Sequence, residues 1–475
     1  MPFIEAIARR EGFLMHSYQI TKTIREAYHA DIVVCGGGTA GTFAAMSAAD
    51  AGKSVMIIES FGGLGGTSTQ GLVTPVMSSY IPNEPKCSYL ANELNALLKE
   101  RGALDDRTGR IFDPMMLKIC LEQMCLKRDI PILFYSFITD VIVQNNTLKA
   151  VIVSNKSGTM AVGGKIFIDA TGDGDVSVLC GAQYHKGDPE TGKNQPISLR
   201  YIVDHVDCGA LSRFFADEIR RTGIHDGTCL SDPEELYASV NRSGGQTLSS
   251  LFDRAVSAGD LIDEDSWYWQ MFKITGRPGS IAFNNPEFFE NVDGTNIEHL
   301  TQAQLIGKQA IYRQLHFYKK YMRGFENAYI AEIAPMVGVR ESRNIQTEYV
   351  VTAEDLLARR KFPDAFCQSN YPVDIHGKTL HFDEYFSPAE DGKPYFEIPC
   401  RSLIVKGVGN LLVAGRCLGA EFLAQAAIRT QHTMRSSGEA AGLLASAALE
   451  KRCPVKEIDG RIIRKEMEIR GAEFV

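Results

Sequence analysis

The stretch from Asp31 to Glu59 limits what this chain can fold into more than any other. Asp31-Ile-Val-Val-Cys35 reads as a short buried strand, Gly36-Gly-Gly-Thr-Ala-Gly41 as a tight turn, and Thr42 to Ala51 as an Ala-rich helix closed by Gly52. Ser54-Val-Met-Ile-Ile58 is a second strand, ending on Glu59. Together they form one βαβ unit of the dinucleotide-binding kind, in which each glycine has its own reason. Gly36 permits the turn, Gly38 lets the backbone approach a pyrophosphate, and Gly41 lets the helix lie against the strand. The helix N-terminus offers free N–H groups and a positive dipole end to phosphate. Glu59 falls where a carboxylate accepts both hydroxyls of an adenosine ribose and repels a 2′-phosphate, which disfavours NADP. A glycine-dense loop, Gly62-Gly-Leu-Gly-Gly-Thr67, follows at once.

Downstream, helical periodicity covers 88–104 and 112–128, the second opened by Asp113 as N-cap and Pro114 in the first turn. Strands are expected at Ile132–Tyr135, Ile138–Val143 and Leu148–Ser154, the last two joined as a hairpin through Asn145-Asn146. Lys165-Ile-Phe-Ile-Asp169 is a buried strand that exits through Ala170-Thr171-Gly172, small residues where a ligand or another segment can approach. From about 186 to 394 the pattern changes to polar loops, helices and β-prone stretches, with a helix over 297–321 and an aromatic cluster, Trp267-Tyr-Trp269, that suits either a pocket wall or core packing. Asn410-Leu-Leu-Val-Ala-Gly-Arg416 is one more strand with a glycine exit, followed by a helix expected from Ala426 to Leu449.

At 475 residues the chain exceeds what one core organises, so two domains are expected, interleaved rather than in tandem. A net charge of −8 without long Lys/Arg runs argues against nucleic acid and anionic membrane as partners. No apolar run approaches about 18 residues, and the first thirty positions carry scattered charges without a cleavable apolar segment, so a cytoplasmic location is expected. The 11 cysteines form no C-x-x-C pair and the 10 histidines no H-E-x-x-H spacing; reduced, mostly buried thiols and no metal centre are expected.

These blocks in this order resemble FAD-dependent oxidoreductases of the glutathione-reductase-like class. More narrowly they resemble a bacterial FAD-dependent oxidoreductase family that opens with G-G-G-x-A-G and continues into a G-G-x-x-T-x-G loop. The matching residues are Gly36 to Gly41, Glu59, Gly65 to Gly71, Asp169 to Asp175, Gly338-Val-Arg-Glu-Ser-Arg343, Ala414-Gly-Arg-Cys417 and Gly438-Glu-Ala-Ala-Gly442, spread over about residues 30–445. The resemblance implies an α/β fold: a Rossmann-like FAD-binding domain of ββα-sandwich type, with an inserted α+β substrate domain. The FAD-binding domain would comprise 30–185 and 395–450, the substrate or cap domain 186–394, with 1–29 as an N-terminal extension of helical character and 451–475 as a C-terminal tail.

By the same resemblance, Gly36, Gly38, Thr39, Ala40 and Gly41 would hold the pyrophosphate, Glu59 the adenosine ribose, and Ile138 the adenine through its backbone. Gly66 and Thr67 would lie near the ribityl chain or ring, and Thr171 and Gly172 against the adenosine half. Arg416, with the backbone of Ala427 and Ile428, would meet the flavin end, and Ser60, Ala170 and Gly415 would also contact the cofactor. FAD would be held non-covalently, since neither Cys35 nor Cys417 has a reason to bond the ring.

For chemistry, Arg340 and Arg343 are candidates to bind an anionic or carbonyl-bearing substrate, with Glu341 neutralising one of them; the same residues would also serve as an ion-pair cluster between domains. His432 is a candidate acid or base facing the flavin edge, or a satisfied helix histidine. Arg401 is a further anchor candidate, and Tyr184-His185 could reach the cofactor or solvent. The leading expectation is an FAD-dependent oxidoreductase acting on a small organic molecule. A FAD-binding electron-transfer subunit of a larger redox complex, with a partner protein, is the alternative, and homo-oligomerisation is left open. No second G-x-G-x-x-G unit offers a nicotinamide nucleotide site.

Overall fold

β1 (Glu26–Cys35) runs into the glycine turn as expected but begins at Glu26, so the last part of the expected N-terminal extension is strand rather than helix. The structure, a computed structural model, describes residues 17–290, 292–376 and 392–475; the helical character expected for 1–16 lies outside the described residues. β2 (Val55–Ile58), β3 (Ile132–Leu133), β4 (Phe137–Gln144), β5 (Thr147–Asn155) and β6 (Gly158–Asp169) complete a sheet of order β3-β2-β1-β6-β5-β4. β1 lies parallel to both β2 and β6, and the strand Leu411–Val413 joins parallel to the last three residues of β6. β4, β5 and β6 form an antiparallel meander. Asn145 and Asn146 turn the β4–β5 hairpin with φ of 51° and 57°, the two left-handed residues of a two-residue hairpin. Ile32 to Cys35 are wholly buried, as expected for parallel strands covered on both faces.

The helix Thr39–Asp50 follows the turn, and Pro114–Leu126 is capped by Asp113, which accepts from the N–H of Met115 at 2.8 Å. The helix expected over Ala426–Leu449 is two helices, Phe422–Ile428 and Gln431–Lys451, separated where Thr430 takes extended backbone. The break is imposed by side chains that leave the helix: Arg429 reaches Asp374, and Gln431 donates to the carbonyls of Val73 and Pro75.

Gln431–Lys451 crosses Thr39–Asp50 at contact distance through Gly438 and Gly442. A Cβ on Gly438 would land on the carbonyl of Ala40, and one on Gly442 on Ser47 Oγ and the carbonyl of Ala44. Between them, Ser47 Oγ donates to the Glu439 carbonyl at 2.8 Å. The buried Glu439 side chain accepts from Ser88 Oγ and the N–H groups of Tyr89 and Leu90, so one helix caps the start of another, Leu90–Glu100.

Burial pushes the Glu439 carboxyl up to about 8 against these donors and Arg435. A folded-state pKa above the unfolded one contributes stability that is complete below the ordinary glutamate value and is lost as pH rises through about 8. Glu439→Gln, which cannot ionise, is therefore expected to lose less stability than the native chain between about pH 5 and about pH 8 in urea titrations. Parallel losses in the two proteins would refute this.

A second, six-stranded antiparallel sheet has the order Cys229–Leu230, Tyr237–Asn241, Tyr268–Lys273, Ile281–Phe283, Tyr201–Asp204, Tyr329–Ile333. Its core is aromatic. Tyr318, from the helix Ile297–Tyr321, stacks on Phe283 and accepts from Trp269 Nε1 at 2.8 Å. The apolar side chains form two main cores. One gathers residues from Ala30 to Ala182 and from Ile345 to Ala472; the other gathers Leu199 to Ala334, together with Leu72. The structure is thus a Rossmann-like domain with an inserted second domain. Ile345, Val351, Leu356, Phe366, Cys367 and Val373 pack in the first core, and Ala365–Ser369 pairs antiparallel with Phe396–Pro399. The expected tail carries the helix Gly460–Arg470, whose Ile463 and Met467 also join the first core. Among the described residues no helix is long and apolar enough to cross a membrane.

Candidate active site

At the carboxyl end of β1 two glycine segments lie on one another. Gly65 N–H donates to the Gly37 carbonyl at 2.9 Å, Thr39 Oγ1 to the Gly65 carbonyl at 3.1 Å, and a Cβ on Gly66 would stand 2.8 Å from Gly38 Cα. Ser68 Oγ donates to Gln431 Oε1 at 2.8 Å, fixing the start of the long helix to the same loop. Gly36, at φ 103°, is left-handed, and a Cβ there would meet the Ala170 carbonyl at 2.5 Å. Gly41 sits behind the turn, where a Cβ would run into the Gly36 carbonyl.

Gly38 differs from its neighbours. Its φ of −70° and ψ of −166° are open to any residue, and a Cβ would meet no protein atom nearer than Gly66 Cα at 3.9 Å. Neither backbone conformation nor packing asks for glycine here. What the bare Cα leaves is clear space in front of a helix N-terminus, the cradle a pyrophosphate requires. Glu59 completes it: its carboxylate accepts from Gly37 N–H at 2.6 Å, Phe61 N–H at 2.8 Å and Ser60 Oγ at 3.1 Å, while burial raises its pKa against those bonds.

All this opens into one cavity of about 1610 Å³. Gly36, Gly38, Thr39, Ala40, Glu59 and Ser60 line one end, with Ile138 from β4 and Ala170, Thr171 and Gly172 from the exit of β6. Gly66, Thr67, Gly415 and Arg416 line its middle, beside Thr430, Gln431 and Met434 at the start of the long helix. Asp169 organises the β6 exit, accepting from Thr171 Oγ1 at 2.7 Å and Ser177 Oγ at 2.7 Å.

The far end belongs to the second sheet. Along Tyr268–Lys273, Tyr268, Gln270 and Phe272 face the cavity while Trp269 and Met271 are fully buried behind them, the two-residue alternation of a strand. The aromatic cluster therefore serves both uses that its sequence allowed. Arg200, Arg340 and Arg429 enter from three different segments. Arg340 pairs with Glu287 and donates to the Pro196 carbonyl at 2.9 Å; Arg429 pairs with Asp374 at 3.3 Å. His376 lies 2.8 Å from Glu287 and against the Tyr268 ring, centroids 4.4 Å apart. Burial works to raise the Glu287 carboxyl, but Arg340, His376 and Arg200 outweigh it and hold it below its ordinary value. Burial, and then Arg340 beside it, pulls Arg200 down to about 9.

Several expected site residues are placed elsewhere. Ala427 and Ile428 are buried within the short helix Phe422–Ile428 and do not line the cavity, because the long helix starts after them, at Gln431. Gly41 supports the turn from behind and is likewise not at the cavity surface. His432 points the other way, to Cys367 Sγ at 3.5 Å and the Gln368 carbonyl at 3.2 Å, since on a helix it faces away from its neighbour Gln431. His432 and the buried thiols of Cys87 and Cys367 lie within 4.8 Å of one another. The Gln368 carbonyl and Cys367 Sγ both lie within hydrogen-bond reach of His432 Nε2.

Glu341 neutralises neither arginine: it accepts from Gly187 N–H at 2.9 Å and from Asn194. Arg343 lines the cavity but is bound to Asp175 at 2.7 Å and the Asp173 carbonyl, next to Arg416, which pairs with Asp173 at 2.7 Å. Arg401 pairs with Asp364, and neither it nor Tyr184-His185 is at the cavity. Arg200, His376, Asp374 and Gln431 line the cavity without having been singled out in the sequence, whereas Tyr268 belongs to the aromatic cluster expected there as a pocket wall.

A sheet in which β1 runs parallel to β2 and β6, with a gap over its first glycine turn and a buried carboxylate after its second strand, defines a dinucleotide-binding protein of the Rossmann-like class. The chain belongs to the FAD dependent oxidoreductase family, whose model matches residues 31–467. FAD is thus the cofactor and the protein an enzyme, its substrate unassigned. No curated protein sequence matches the chain. Among solved structures it is similar to a geranylgeranyl bacteriochlorophyll reductase-like protein from Thermoplasma acidophilum, at 13% identity over 93% of this chain and 83% of that one, with a TM-score of 0.46. It is also similar to p-nitrophenol 4-monooxygenase from Pseudomonas putida, at 10% identity over 94% and 84%, TM-score 0.43. A third is L-proline dehydrogenase from P. horikoshii, at 11% identity over 94% and 99%, TM-score 0.39.

Proposed function

We propose that the protein transfers hydride between flavin N5 and a small organic substrate seated in the same cavity, at the end formed by the second sheet. The observation that carries this reading is continuity: one space of about 1610 Å³ runs from the glycine turn to Arg200 and Tyr268. Single-ligand pockets usually measure roughly 300–1,000 Å³, so this one has room for two molecules end to end.

Bound FAD supplies a ring nitrogen that takes or gives hydride. The chain supplies the rest. Gly38 and the first N–H groups of Thr39–Asp50 seat the phosphates, and Glu59 the ribose. Gln431, tied to Ser68, Val73 and Pro75, fixes the start of the long helix, whose positive end favours negative charge in the middle of the cavity. Tyr268 and His376 are the groups at the far end that can hold or pass the accompanying proton, and Arg340, locked by Glu287, orients what binds beside them.

The test is anaerobic. Purified yellow protein, shown by denaturation to release FAD, is offered a panel of metabolites while the flavin absorbance is followed. A compound that bleaches the flavin, or reoxidises it after reduction, supports the reading. A fully loaded protein whose flavin responds only when a partner protein is added would replace it with the electron-transfer reading.

A further inference from the structure

Three arginines, two buried and one half-buried, meet at the far end of the cavity, and two of them are spoken for. Arg340 is held by Glu287 and the Pro196 carbonyl, Arg429 by the side chain and carbonyl of Asp374. Arg200 is not. Its side chain is 8% exposed and faces the cavity, and among the described residues its guanidinium makes no hydrogen bond and no ion pair. A buried guanidinium left without a partner costs several kcal/mol, a cost that folded chains tolerate where a ligand repays it.

The neighbours are incomplete as well. Arg429 Nε and Asn284 Oδ1 are buried without partners among the described residues. Among the described residues three guanidiniums, those of Arg200, Arg340 and Arg429, stand against two carboxylates, Glu287 and Asp374, so the arginines outnumber their acidic partners by one. Tyr268, Phe272 and Tyr371 line the same cavity and offer it aromatic rings.

We infer that Arg200 is the anchor for a monoanionic carboxylate substrate with an aromatic or otherwise planar body. The two oxygens of a carboxylate match the fork of a guanidinium, and one negative charge balances the site where two would overfill it. Tyr268 and Phe272 then flank the body, and the reacting carbon is directed back along the cavity toward Thr430 and Gln431. This rests on the hydride-transfer reading for what happens next, but not for the binding itself.

The probes are benzoate and its uncharged counterpart benzamide. Added to the FAD-loaded protein, benzoate is expected to perturb the flavin absorption band and raise the melting temperature, and benzamide at the same concentration to do neither. Arg200→Gln is expected to weaken benzoate about 10- to 100-fold with FAD content unchanged, and Arg200→Lys to weaken it less. Equal responses to benzoate and benzamide, no response to either, or native benzoate affinity in Arg200→Gln would overturn the assignment. If the glutamine variant does not fold, the benzoate-against-benzamide comparison in the native protein decides alone. Failure of the hydride-transfer reading looks different: carboxylates would bind and shift the melting temperature, yet no carboxylate in the metabolite panel would change the redox state of the flavin.

Discussion

Gly38→Leu is expected to give a folded, colourless protein. The position takes an ordinary extended conformation, and beyond its chain neighbours a Cβ there would meet nothing nearer than Gly66 Cα at 3.9 Å, so the fold has room for the first atom of a side chain that then extends into the cavity. The added atoms would occupy the space before the first N–H groups of Thr39–Asp50, where phosphates need backbone contact. Loss of affinity should reach about 1,000-fold or more, because a steric block removes the seat rather than one hydrogen bond. The measurements are the absorbance ratio of flavin to protein after purification and the far-ultraviolet circular dichroism. A Gly38→Leu protein that stays yellow at native occupancy would place the phosphates elsewhere and remove the basis of the cofactor site.

Gly438→Val should fail one stage earlier. There a Cβ would collide with the carbonyl of Ala40 and crowd the N–H of Ala44, backbone atoms that no rotamer change can move. To relieve the overlap, Gln431–Lys451 must lift from Thr39–Asp50, which disrupts the buried bond from Ser47 to the Glu439 carbonyl and the cap that Glu439 gives to Leu90–Glu100. The loss should exceed about 3 kcal/mol, beyond the usual range for overpacking, because two helices and a third helix's cap fail together. Denaturant unfolding, or insolubility on expression, reports it. Native stability in Gly438→Val would mean that the two helices do not cross at this glycine. The two substitutions, both at glycines near the same turn, thus separate a residue kept small for a ligand from one kept small for a neighbouring helix.

What the sequence revealed was local. The βαβ unit, the Asn145-Asn146 hairpin, the Asp113 cap and the helix over 297–321 each depend on residues within a few positions of one another, and the spacing of turns, caps and apolar residues is enough to read them. What it hid was set by distant contacts. Ala426-Ala-Ile-Arg-Thr-Gln-His432 holds no glycine or proline, so no local signal marks the break at Thr430; Asp374, Val73 and Pro75 create it.

Glu341 adjoins Arg340 in sequence, yet the partner is Glu287 across the insertion, because neighbouring residues on an extended segment point to opposite sides. Arg200 sits in Ser-Leu-Arg-Tyr-Ile-Val, a run that reads as strand without telling which face meets solvent. Its isolation, the property that matters, exists only once Glu287 and Asp374 have been claimed by other arginines.

The placement of Leu411–Val413 on β6 also sets a timetable. A ribosome making this chain completes β1 to β6 and the entire second sheet before that strand and Gln431–Lys451 emerge. Until they do, the nascent protein holds half a socket: the turn and Glu59 are present, but the wall with Gly415, Arg416 and Thr430 is still unmade, and Phe167–Asp169 on β6 lacks its neighbour. Flavin capture is therefore expected late in biogenesis, and a chain cut short before residue 411 is expected to stay colourless even when flavin is supplied in excess.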